Sequence, residues 1–314
     1  MSDILLKNDL VVPQPNKGAN TLVHFIKKHA WSYAFILPSL LVFSVFTLIP
    51  VAWALIISFQ HYNFVWDGKW VGLQNYTHAL TFGEGVFVKA IQDTLFYSVI
   101  TVTANIFIAL ILAGLIQSCN KYWRTFFVAA YYLPAVTSLV IIAMTWRWIF
   151  NSEYGLFNYL LSVIHLAPIR WLSDPKIVLN SITFSTVLAV PATGVVLFNA
   201  AMSGVPTELY EAAKIDGAGA IRRWWCITLP LIKSTTLFLV VLYTIGSFQV
   251  FERFFLMVPS GVGDSAQVIV TQIYQNGFQN FNYGLASAQA FILFLMILAL
   301  ALVQFRFLRS DVEY

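Results

Sequence analysis

The sequence predicts an all-α membrane protein with six transmembrane helices and one long polar loop on the cytoplasmic side. Three observations predict it. Of 314 residues, 59% are hydrophobic and 10% charged, with a mean hydropathy of +0.75. A soluble domain carries about a quarter charged residues, so this chain cannot cover a water-facing surface. Six apolar stretches are close to the roughly 20 residues that a bilayer crossing requires. Lys and Arg are concentrated in alternate connecting segments, as the positive-inside rule demands.

Residues 1–30 are not a secretory signal, because Asp3 and Asp9 interrupt them and no apolar core with a cleavage site appears. They read as a cytoplasmic tail ending Lys27-Lys28-His29. Residues 31–308 read as one six-span domain and 309–314 as a second cytoplasmic tail. The first span, 31–59, carries no charge. At 1.5 Å per residue it runs about 43 Å, longer than a bilayer core, so it must tilt or protrude. Pro38 and Pro50 predict kinks in it. The remaining spans are expected at 94–116, 126–146, 177–202, 234–251 and 285–305.

With the amino terminus inside, the inner segments hold Lys7, Lys17, Lys27, Lys28, Lys121, Arg124, Lys214, Arg222, Arg223, Lys233, Arg306 and Arg309. The outer segments hold Lys69, Lys89, Arg147, Arg170, Lys176 and Arg253. The excess places both termini in the cytoplasm. Trp31, Trp146 and Trp148 stand at span ends, where indoles anchor at the interface. Cys119 and Cys226 fall in cytoplasmic segments and are expected to be reduced, inert thiols.

The loop at 203–233 is the most informative segment. Pro206 precedes Thr207, a good N-cap. Glu208 and Glu211 follow in the first turns and Lys214 comes later, which suits the helix dipole. Gly217 is a helix stop. A second short helix is expected over 218–228, ended by Leu229-Pro230. Ala212 and Ala213 leave a slim surface for close packing. Glu211 and Asp216 suit a basic partner. Arg222 and Arg223 suit acidic groups or lipid headgroups. Spacing alone also fits an amphipathic connector lying on the membrane surface.

Glu211-Ala212-Ala213, Gly217 and Ile227-Thr228-Leu229-Pro230 resemble the EAA signature of ABC-importer permeases. The run from Tyr210 through Ile215-Asp216-Gly217-Ala218 is similar to the carbohydrate-uptake branch, that of maltose, lactose and glycerol-3-phosphate permeases. Gly72-Leu73-Gln74-Asn75-Tyr76, Arg124 to Pro134, Trp148-Ile149-Phe150, Gly155 to Asn158, Trp171 to Pro175 and Val303 to Arg306 resemble further family segments. Three places depart from the pattern. Asp93-Thr94 stands where relatives have Asn-Thr. Residues 189–194 lack the usual tryptophan. The 259–264 turn is a loose version of a Gly-Gly-Pro turn.

The resemblance implies a non-catalytic subunit of an ATP-driven importer in the inner membrane of a prokaryote. It implies a second permease subunit in an unlike pair, an ATP-binding-cassette ATPase dimer, an extracytoplasmic binding protein, a sugar substrate and surrounding lipid. Nucleic acid is not an expected partner. Glu211, Ala212, Ala213, Asp216 and Gly217 would dock on the ATPase. The chain itself needs no cofactor, since ATP belongs to the partner and no phosphate-binding loop occurs here. An importer of glycerol-3-phosphate or a polyol is the alternative within the family. A secondary transporter would show inverted repeats and ionisable groups at mid-membrane, and neither is visible. A docking scaffold without transport shares the same loop.

Polar groups inside spans are costly unless they face water or one another. Asn105, Tyr131, Asn199, Tyr243, Gln249, Glu252 and Gln289 are therefore the candidate substrate-path residues. Interhelical hydrogen bonding is the plainer role for each. His24, His29, His61, His78 and His165 lack metal-ligand spacing, and no hydrolase motif occurs.

Overall fold

The computed structural model describes residues 30–63, 68–82, 85–259 and 262–308. Residues 1–29 and 309–314, with Lys7, Lys17, His24, Lys27, Lys28, His29 and Arg309, lie outside the described residues, as do Ser260 and Gly261 of the 259–264 turn.

Four helices are long and apolar enough to cross a membrane unaided: Tyr33–Ser58, Val86–Gln117, Val178–Ser203 and Tyr283–Arg306. Two bent pairs complete the set, Lys121–Val136 with Leu139–Ile149 at 90° and Ala220–Leu231 with Lys233–Phe248 at 68°. Counting each pair as one crossing gives six, each overlapping one of the six predicted stretches. They are spans one to six below, with span five named for its apolar half, Lys233–Phe248.

Span one has 26 residues and is about 39 Å long at 1.5 Å per residue. Its two prolines act differently from the expected kinks. Pro38 sits inside the unbroken helix Ala30–Phe43. Pro50 follows a π-helical turn, Ser44–Leu48, in which the Ile49 N–H reaches back to the Ser44 carbonyl. A proline ring crowds the carbonyl four residues earlier and donates no hydrogen bond. Widening the preceding turn relieves that crowding. The same device recurs at Trp224–Thr228, ahead of Pro230, where the Leu229 N–H reaches the Trp224 carbonyl. Leu229-Pro230 therefore does not end the second short helix as expected; the helical turns continue to Leu231 and the bend falls at Ile232.

Spans three and four are each broken. Span three starts at Lys121, because the Asn120 side chain accepts from the Trp123 N–H at 3.1 Å and caps it. It breaks where Pro134 enters a 3-10 turn, Leu133–Val136, followed by extended Thr137. Span four pauses at 189–191, between helices Val178–Leu188 and Ala192–Ser203. Pro191 and the extended Ala189 interrupt the hydrogen-bond ladder there.

Spans two, four and five pack into a core around Ala109, Ala113, Val195, Phe198, Ile232 and Leu239. A second core at the opposite end of span five holds Tyr97, Phe150, Ile182, Phe254 and Met257. A third, around Phe87, Phe248, Ile269 and Leu285, seats the start of span six. The outer faces stay apolar, with Phe107 59% and Leu115 62% exposed, as lipid contact requires.

The segment between spans five and six folds back as short helices Glu252–Met257 and Ile269–Tyr274. Thr94 of span two holds it: its hydroxyl accepts from the Ile269 N–H at 3.1 Å and donates to the Ala90 carbonyl. Asp93 pairs with Lys89 at 2.9 Å, and Lys89 also donates to the Ser265 carbonyl. The Asp93 departure is thus matched by a local cation.

Candidate functional site

The 203–233 loop forms two helices with a defined corner. The first runs Thr207–Ile215. Pro206, not Thr207, occupies its capping position, and no side chain caps it; Thr207 is the first helical residue. The corner is a Schellman turn. Gly217 has φ +75°, its N–H donates to the Lys214 carbonyl at 3.1 Å, and the Ala218 N–H donates to the Ala213 carbonyl at 2.8 Å. A methyl group on Gly217 would meet nothing within 4 Å, so lack of space is not the reason for glycine here. The requirement is the left-handed backbone alone. Gly217→Ala is therefore expected to cost about 1–2 kcal/mol locally. Hydrogen exchange of the Gly217 and Ala218 amides should quicken about tenfold, with the assembled protein still recoverable.

The loop has two unlike faces. The outward one presents Glu211, Ala212 and Asp216 together with Ile215, 87% exposed, and Ile221, 77% exposed. Among the described residues no ion pair holds Glu211 or Asp216. Ala213 is half-buried. The inward face is tied to the bundle. The Tyr210 and Thr228 hydroxyls share a hydrogen bond of 2.8 Å across the two helices, and Tyr210, Trp224 and Ile227 pack against the core of spans two, four and five. Bare apolar side chains thus stand beside unpaired carboxylates on a short helix backed by a packed core.

The break in span four is the second feature. A helix start leaves backbone N–H groups without partners. Tyr243 of span five supplies one: its hydroxyl accepts from the Gly194 N–H at 2.8 Å. A methyl on Gly194 would stand 2.5 Å from that hydroxyl and 2.8 Å from the Ala109 Cβ. Glycine is required there because three spans meet at its Cα.

The other candidate path residues are dispersed. Asn199 is buried, and its Oδ1 accepts from Arg124 Nε at 3.0 Å. Arg124 also donates to the Ser203 hydroxyl. Gln289 is buried and accepts from the Asn276 amide at 3.0 Å. Tyr131 packs against the core of spans two, four and five. Asn105 is half-buried, with Oδ1 unpartnered among the described residues. Gln249 is exposed at the end of span five, and Glu252 is half-buried beyond it. The neighbouring Arg253 has a buried Nη1 without a partner among the described residues, and burial lowers its proton affinity below that of an ordinary guanidinium.

Sequence reasoning missed one cluster at this end. Phe255, Gln267, Tyr274, Gln275 and Gln279 line a cavity of about 400 Å³. Phe251 stacks on Phe255 at 4.9 Å and Tyr274 on Phe278 at 5.3 Å. The Gln272 amide donates to both Gln267 and Gln275. Ring faces beside fixed amides are a surface for polyhydroxylated ligands. The signal in the sequence was the recurrence of Gln and aromatic residues over 267–279, which reads equally as loop composition.

Four unaided crossings and two bent ones, with a polar two-helix loop between spans four and five, define a multi-pass membrane protein. The chain belongs to the family of binding-protein-dependent transport system inner membrane components, whose model matches residues 105–310. It is 33% identical to the probable ABC transporter permease protein YurN of Bacillus subtilis, over 90% of this chain and 97% of that one. It is 30% identical to the arabinooligosaccharide transport permease AraP of Halalkalibacterium halodurans, over 95% of this chain and 94% of that one. Among solved structures it matches a bacterial ABC transporter that imports the acidic polysaccharide alginate. The TM-score is 0.82 at 25% identity, covering 93% of this chain and 100% of that one.

Proposed function

We propose that this chain forms half of the translocation path of an ATP-driven importer for sugars, of di- or oligosaccharide size. The observation that carries the reading is the two-faced loop. Its outward face offers Glu211, Asp216, Ile215 and Ile221 to a partner, while its inward face is bonded and packed to spans two, four and five. A push on the outer face is thereby passed to the core as a rigid body. The partner is a cytoplasmic ATPase dimer, which holds the ATP; this chain is non-catalytic and needs no cofactor. A second, unlike permease supplies the other half of the path, and an extracytoplasmic binding protein delivers the sugar. Support for sugar comes from relatives such as the arabinooligosaccharide permease, and from the aromatic and amide cavity beyond span five.

The test is mass spectrometry of everything that co-purifies with the chain from its native membrane in mild detergent. An ATPase, a second six-span protein and a sugar-binding protein are expected. The chain alone, still transporting after reconstitution, overturns the reading. In the proposed orientation both termini are cytoplasmic. A tag on either one should be reached only from that side, and external labelling of either in intact cells defeats the topology.

A further inference from the structure

A cavity of about 430 Å³ lies between the 203–233 loop and the adjoining ends of spans two and four. Gln117 and Ser118 line it from span two, Ser203 from span four, Thr207 from the first loop helix, and Arg223 and Trp224 from the second. Two of its lining residues each carry a buried polar atom without a hydrogen-bond partner among the described residues, Arg223 Nε and Gln117 Oε1, and a small side-chain rotation would bring either to the cavity. A buried unpaired donor on a cation is costly, and folded chains rarely leave such groups empty-handed. One is a donor and the other an acceptor, and the residues that carry them line the same cavity.

We propose that this cavity binds a small phosphate-type oxyanion that also carries a hydroxyl. The charge decides for an anion. Among the described residues no Asp or Glu lines the cavity, and Arg223 is its one charged lining residue. The orphaned Gln117 carbonyl decides for a hydroxyl, since it can only accept. Hydrogen phosphate brings both features, and so does a phosphoglycerol headgroup. The shared chemistry has two sources, a free cytosolic phosphate or a lipid of the adjoining leaflet. The site is separate from the sugar path. Its walls come from two spans and both loop helices, so an occupant braces the loop against the bundle.

The test uses the whole purified transporter with its partner subunits, delipidated and in phosphate-free buffer. Calorimetric titration with inorganic phosphate reads the free-anion arm. Native mass spectrometry after reconstitution in phosphatidylcholine vesicles, with and without phosphatidylglycerol, reads the lipid arm. Saturable binding in one arm is expected, and the arm identifies the source. Arg223→Gln and Gln117→Leu should each weaken it about tenfold or more, while Arg222→Gln, on an exposed neighbour, should leave it unchanged. If Arg223→Gln does not assemble, Gln117→Leu carries the comparison. No saturable binding in either arm overturns the proposal. So do both variants binding like the parent, or an ATPase side chain found to fill the cavity. Loss of sugar uptake without loss of anion binding would strike the importer reading and leave this site standing.

Discussion

Glu211→Lys is expected to abolish solute uptake while the chain still inserts and folds. Glu211 is exposed and unpaired among the described residues, so the exchange costs the isolated chain within about 0.5 kcal/mol. At the proposed ATPase interface the reversed charge would face the cation that Glu211 is proposed to meet. Losing a desolvated charge pair costs about 2–5 kcal/mol, enough to lower ATPase affinity at least about thirtyfold. Two measurements decide it: uptake in cells, and the amount of ATPase recovered with a tagged chain. Normal uptake with normal ATPase recovery removes Glu211 from the docking surface. Lost uptake with full ATPase recovery places its role after docking.

Gly194→Ala is expected to cut transport by about tenfold or more through a different cause. The added methyl would stand 2.5 Å from the Tyr243 hydroxyl and 2.8 Å from the Ala109 Cβ. Neither contact is tolerable, so spans two, four and five must separate. Such overpacking costs about 1–3 kcal/mol. It falls at the break in span four, where the Gly194 N–H depends on Tyr243. Adding Tyr243→Phe should recover part of the loss, because it removes the nearer obstacle. Tyr243→Phe alone orphans the Gly194 N–H and should cost about 1–3 kcal/mol. Thermal unfolding in detergent and uptake should move together in all three variants. A Gly194→Ala protein as stable and active as the parent shows that the spans part freely there.

Much of this architecture was legible without coordinates. Hydropathy placed the six crossings to within a few residues, apart from the early starts of spans two and three. The span-three start was missed because Asn120 caps a helix whose first turn, Lys121 to Arg124, is polar enough to read as loop. The loop corner at Gly217 was legible because one residue type supplies a left-handed backbone cheaply. The path residues were less legible. Asn199, Tyr243 and Gln289 are polar in apolar surroundings. Whether each bonds a neighbour or a ligand depends on residues between 13 and 75 positions away in the chain.

The sequence by itself determined what local physics controls. It set the number and place of the membrane crossings, the charge bias of their connections, and the polar loop with its glycine corner. Hydrophobic transfer, charge asymmetry and a single residue's backbone freedom act over a turn or a span, so they are readable in one dimension. The tertiary structure alone decided which proline bends a helix and which is absorbed by a wider turn. It also decided that Tyr243 caps span four, that Thr94 anchors the return into span six, and that Arg223 and Gln117 face one cavity. The Tyr243 and Thr94 bonds each depend on a distant group arriving within about 3 Å, and a hydrogen bond of that reach has no periodicity to betray it.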